Sequence, residues 1–194
     1  MKTIVSMAAV AASLIAIPTA ASAQRAPAAV IVVVDSERIY RECNACKVAS
    51  AQLQSMVTAA QTREKSLNTQ LQTEGTAIQT AANALAGKEP DAALKARAQA
   101  FETKRSAATQ ELSRLQTNIQ STQTNVSRQI NAKLGTVYSQ VMTARGANLA
   151  LDIGATLASA SGLDVTTDVL TALNAALPSV SVTPMPATAQ PTRR

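Results

Sequence analysis

Residues 86–91 read Ala-Gly-Lys-Glu-Pro-Asp. Glycine just past a helical run, with proline beyond it, is a stop signal: glycine reaches the left-handed backbone that closes a helix, and proline cannot continue one. Asp91 can then cap a new helix, its carboxylate accepting from an exposed backbone N–H. The stretch is therefore a break between two segments, and both segments are helical in pattern. Upstream, from about Lys47, Gly and Pro nearly vanish. Val57, Ala60, Leu67, Leu71, Ile78 and Leu85 fall on steps of three and four, with Glu64, Glu74 and Ala81 in the intermediate positions. That is a heptad seam diluted by small and polar residues. Downstream, Leu94, Phe101, Ala108 and Leu115 recur every seven residues, as do Leu112, Ile119 and Val126, before the phase drifts through Ile130, Leu134, Val137 and Val141. Two long helices joined by a short turn must run antiparallel. At about 1.5 Å per residue the first of them projects roughly 60 Å.

Outward from this hairpin the pattern changes. Val30 to Val34 is a β-branched apolar run ending at Asp35, and it reads as a buried strand. Asp35-Ser36 offers a cap for a short helical turn through Ile39 and Tyr40. On the far side Gly146 ends the second helix, and Asn148 to Ile153 alternates into a second strand. Thr156 to Ser161 is a weaker candidate for a third, and Asp164 opens an amphipathic helix running to about Leu177. Neither flanking strand can satisfy its backbone alone, so the two must meet. The expected fold class is α+β, mainly α: a small β head, serving as an association body, that carries a long antiparallel α-helical hairpin arm. We place head segments at 24–46 and 147–177 and the arm at 47–146. So small a head needs oligomerisation for stability.

The ends and the composition bound the rest. The first 23 residues carry Lys2, an apolar run from Ile4 to Ile17, and Ala21-Ser22-Ala23. This is the layout of a signal peptide cleaved after Ala23, which implies export to the periplasm. Residues 178–194 hold four of the seven prolines and no periodicity, so this Pro-rich tail is expected to be disordered. The sequence has no His, no Trp, one Phe and two Tyr. Bulky groups are scarce, which suits thin helical packing better than a thick core. Formal net charge is +6, falling to +5 when Lys2 is removed with the signal peptide. A basic exported chain favours acidic partners or an anionic membrane surface. Nucleic acid is not expected, since base-stacking aromatics are nearly absent.

Cys43 and Cys46 form the one Cys-x-x-Cys of the chain. A thiol oxidoreductase would place such a motif in a βαβ unit, but a coiled coil follows here. Zinc needs about four ligands, and neither a His nor a second Cys pair is present. A local Cys43–Cys46 bridge pinning head to arm is the favoured reading, since Cα atoms one helical turn apart lie within disulfide range. A bridge between subunits is a lesser alternative. Tyr40 reads as buried at the joint, Phe101 as seam packing, and Asp164 and Asp168 as carboxylates that cap a helix start and pair with its dipole. No hydrolytic constellation can be written, so no enzyme, metal or cofactor is expected.

Val32-Val33-Val34-Asp35 leading into Ile39-Tyr40, the polar hairpin, Leu149 to Ile153, and Gly162 to Leu170 together resemble the Skp/OmpH family of periplasmic chaperones. The Asp164-Val165-Thr166-Thr167-Asp168-Val169-Leu170 run is the most specific piece. The resemblance implies a homotrimer whose heads form a common body and whose arms surround a cavity. It implies an ATP-independent holdase for unfolded outer-membrane β-barrel proteins, which keeps them from aggregating and helps deliver them to the outer membrane. No Walker-type phosphate loop is present, in keeping with that. Many weak contacts along the arms suit such clients. Lys88, Lys95, Arg97 and Phe101 are the arm-surface candidates. With Glu89 and Asp91 beside those cations, the arm tip is less basic than in the related proteins, and electrostatic capture is expected to be weaker. The alternatives are a thiol oxidoreductase using Cys43 and Cys46, and a structural coiled coil bridging envelope components.

Overall fold

The computed structural model describes residues 27–185. The signal peptide expected at residues 1–23 lies outside the described residues. Strand β1 (Ile31–Val34) leads into a short helix α1 (Ser36–Glu42), then the long helix α2 (Asn44–Ala84) and its longer partner α3 (Ala92–Ala144). Strand β2 (Leu149–Asp152) and helix α4 (Thr166–Ala176) follow. Asp35 caps α1 through Arg38 N at 2.7 Å, and Asp91 caps α3 through Leu94 N at 2.7 Å. The turn between α2 and α3 takes positive φ at both Ala86 (47°) and Gly87 (90°). α2 and α3 pack along each other as the antiparallel arm.

β1 and β2 pair in parallel, Ile31 opposite Leu149 and Val34 opposite Asp152, so the whole arm is the crossover between two adjacent strands. Asn148 pins the entry: its Oδ1 accepts from Val30 N, and its Nδ2 donates to the Ala28 carbonyl. On the other side of β1 the chain returns once, where Val165 N donates to the Val33 carbonyl at 3.0 Å. The core lies where this head meets the base of the arm. Val32, Val34, Ile39 and Cys46 pack there with Ile130, Leu134, Val137 and Val141 of α3 and with Val169 and Leu173 of α4. α3 is longer than α2 at its head end, and those extra turns form the wall on which the head is built. This explains the phase drift past Val126: the partner of the helix changes from α2 to the head.

Two expectations are corrected. Thr156 to Ser161 forms no strand. The Asp152 carboxylate accepts from Gly154 N at 2.8 Å and turns the chain into a 3₁₀ helix at Ile153–Ala155, and a second follows at Ser161–Leu163. Small residues there bury little, and Leu157 is fully exposed. Nor is the start of the Pro-rich tail without order. Ser181, Thr183 and Met185 hydrogen-bond in turn to Gln129, Asn125 and Ser121 on α3. Four tail residues advance as far as eight helical residues, roughly 12 Å, so the backbone is extended. Residues 186–194 lie outside the described residues.

Candidate functional site

The arm seam is closed at its base and half-open along its length. Among the seam positions beyond the head, Leu67 and Ala108 are buried, while Val57, Leu71, Ile78, Leu85, Leu94, Phe101, Leu112, Leu115 and Ile119 stay partly exposed. Two helices alone can cover only one stripe of each other. The remaining apolar edge forms a groove of about 390 Å³ between Val57, Ala60, Leu112, Leu115 and Ile119. A second groove of about 250 Å³ lies nearer the tip, on Leu67, Leu71 and Ala108. Its rim holds two interhelical ion pairs. Arg63 binds Glu111 with two hydrogen bonds of 2.7 and 3.0 Å, and Lys104 reaches Glu74 at 2.6 Å. The Arg63 hydrogen bonds hold the Glu111 carboxyl below its ordinary range and raise the guanidinium in turn. Both partners are solvated, so the pair sets helix register more than stability.

Phe101 lies in the seam against Gly75, where a Cβ would sit 3.3 Å from the ring. That close approach accounts for a glycine inside a long helix. Lys88 is exposed at the turn, and Arg97 is exposed on the first turns of α3. Lys95 reaches Glu89 only at 3.9 Å. The four candidate residues thus fall within the distal third of the arm, three of them presented to solvent and Phe101 half-covered. Residues 47–146 carry twelve Lys and Arg against six Asp and Glu, a net +6, whereas residues 147–177 carry three Asp and no cation. The positive charge of the chain resides on the arm.

At the joint, Cys43 and Cys46 are disulfide-bonded with Cα atoms 5.1 Å apart, and both are buried in the core. Cys43 Sγ also accepts from Cys46 N and caps α2. Buried sulfurs inside a packed cluster are poorly placed for exchange with another thiol. Tyr40 lies at this joint but is 41% exposed, not buried as expected, because its hydroxyl turns outward to donate to Asn131 Oδ1. Partial burial, with Tyr138 nearby, pushes its phenol pKa up. Asp164 accepts from Thr166 N at 2.8 Å, and Asp168, in the first turn of α4 where a carboxylate suits the helix dipole, also binds Arg145 at the end of α3. Among the described residues no cluster of His, Cys, Asp or Glu is arranged to hold a metal ion, and no helix is long and apolar enough to cross a membrane.

A family model described as outer membrane protein (OmpH-like) matches residues 30–173, which is β1, the arm, β2 and most of α4. The chain belongs to the OmpH-like family. Among solved structures, the OmpH-like fold recurs in a chain from Caulobacter crescentus CB15 described as an outer membrane chaperone. The two are 20% identical with a TM-score of 0.67, over 85% of this chain and 96% of that one. No curated protein matches significantly. Sequence reasoning about this OmpH-like chain missed two groups of residues. One is the Ser121, Asn125 and Gln129 set that holds the tail. Its signal was Thr122 and Asn125 standing in the apolar phase of α3, where polar side chains need a partner. The other is Thr166, fully buried, whose hydroxyl accepts from Asp35 N at 2.9 Å and donates to Asp164. It ties the first strand to the last helix.

Proposed function

We propose that this chain is an ATP-independent periplasmic holdase chaperone for unfolded outer-membrane β-barrel proteins, and that it keeps them soluble on their way to the outer membrane. The carrying observation is the arm: two helices of 41 and 53 residues whose apolar seam is half-uncovered over most of its length, on a framework of net charge +6. An unfolded barrel strand alternates apolar and polar groups. A long surface of shallow apolar grooves flanked by solvated charges meets such a strand at many weak points without reading sequence. Lys88, Lys95 and Arg97 attract acidic client segments or an anionic membrane surface, and Phe101 and its seam neighbours supply apolar contact. The OmpH-like family and the chaperone description of its Caulobacter relative support the same role.

Self-association, as a homotrimer, completes the reading. Parallel sheets are ordinarily covered on both faces. Here β2 is largely exposed, and Ile31, Leu149, Leu151, Ile153, Leu157 and Leu163 present apolar surface on the head. Three heads that cover these surfaces mutually would hold three arms around one cavity. Export of the mature chain from Gln24 supplies the compartment in which the Cys43–Cys46 bridge persists. The buried bridge disfavours the oxidoreductase alternative. The envelope-bridging alternative is separated by binding: a labelled barrel protein diluted from urea should co-elute with the mature chain in the absence of ATP, and the same protein once folded should not. Failure of the unfolded form to co-elute removes the holdase reading.

A further inference from the structure

The C-terminal tail lies on α3 in a repeating way. Gln129 grips the Ser181 backbone twice, Oε1 accepting from Ser181 N at 2.9 Å and Nε2 donating to its carbonyl at 3.0 Å. Asn125 Nδ2 donates to the Thr183 carbonyl at 3.0 Å, and Ser121 Oγ accepts from Met185 N at 2.9 Å. Positions 121, 125 and 129 are one helical turn apart, and positions 185, 183 and 181 are two strand residues apart. Four helical residues rise about 6 Å and two extended residues about 6.6 Å, so the two repeats nearly match. All four contacts go to tail backbone and none to a tail side chain. The alternate tail side chains, Val180 and Val182, pack against the core cluster that includes Val126 and Ile130, and Met185 is buried.

We propose that this face of α3 is a binding track for extended polypeptide with alternating apolar side chains, and that the tail is its built-in occupant, displaced when a client strand arrives. The track recognises main chain through a side-chain amide or hydroxyl at each turn, and apolar alternation through the core below it. Pro-Ser-Val-Ser-Val-Thr (178–183) has the apolar–polar alternation of a barrel strand, and Met185, one position out of that phase, ends the segment as a buried anchor. A tethered occupant competes at a local concentration of about millimolar, so weak segments are excluded while long clients with several footholds displace it. That the displacing ligand is an unfolded barrel rests on the holdase reading; the existence of the track does not.

The test uses the full mature chain with Val180, Val182 and Met185 changed together to Asp, which frees the tail and leaves α3 untouched. A fluorescent peptide of residues 178–190 is titrated in and anisotropy read. The freed-tail variant should bind the peptide about tenfold more tightly than the wild type, and adding Gln129→Ala to that variant should abolish the gain. Equal binding by wild type and variant, or binding by neither, overturns the track. Should the triple variant lose its helicity, hydrogen exchange on the wild type decides. The Ser181 and Met185 amides should exchange faster when saturating peptide is added, and unchanged rates overturn the proposal. The same exchange with unfolded barrel protein then tests the client. Exposure by peptide but not by barrel leaves the track standing and removes the holdase link.

Discussion

Thr166 shows how much of the head hangs on single polar contacts. It is fully buried, its hydroxyl accepts from Asp35 N, and it donates to Asp164, whose carboxylate also accepts from Thr166 N. Val has the same shape and no hydroxyl. Thr166→Val therefore leaves the Asp35 N–H without a partner, and the expected cost is about 1–3 kcal/mol in urea unfolding followed by circular dichroism. The side-chain hydrogen bond from Thr166, then the backbone one, hold the Asp164 pKa below its ordinary value of 3.8. A depressed carboxylate stabilises the fold above its unfolded pKa, and that contribution disappears as pH falls through the folded pKa. Wild-type stability should accordingly decline as pH drops below about 4. The decline should be shallower in Thr166→Val, which has lost the main cause of the shift. Parallel pH profiles of the two proteins would contradict this assignment. The Asp164 to Leu170 run was prominent in the sequence, but the link between Thr166 and Asp35 was not, because a contact across 131 residues leaves no local pattern.

At the scale of elements, α3 is one helix with two environments. Leu134 and Val137 at its base are 3% and 1% exposed, while Leu115 in the arm remains partly open. Leu134→Ala should cost about 2–5 kcal/mol, as full burial with a residual cavity requires, and Leu115→Ala well under half of that. Thermal melts of the two variants check it, and equal losses would mean that the arm is packed as tightly as the head. Amphipathic spacing made both helices legible, and Gly87 and Asp91 marked the turn and the cap. What periodicity could not show was the change of partner along α3, since Ile130 to Val141 read only as a drifting heptad. The missing third strand and the ordered start of the tail have the same origin. Thr156 to Ser161 sits between a strand and a helix but is mostly Ala and Ser, with Leu157 its one large apolar side chain and that one exposed, so little holds it in a sheet. Residues 178–185 had a disordered composition, yet find donors and acceptors on a helix already formed.

For the whole molecule, the exposed β2 face and the positive arm set two expectations. If the heads associate as proposed, a charge placed on the head surface should disperse the homotrimer without unfolding the protomer. Leu151→Asp should lower the mass measured by light scattering from an oligomer to a monomer at micromolar concentration, with helicity retained. An unchanged mass would place the interface elsewhere. Whether the arms hold unfolded barrels through many weak contacts and without thiol chemistry can be read from turbidity. A denatured outer-membrane barrel protein is diluted from urea without ATP, alone, with the mature chain, and with Cys43→Ser/Cys46→Ser. Loss of the small Cys43–Cys46 loop should destabilise the joint by about 2 kcal/mol through chain entropy, and leave the arm surface intact. Both proteins should suppress aggregation to the same extent. Suppression by neither, or by the wild type alone while the variant remains folded, would contradict it.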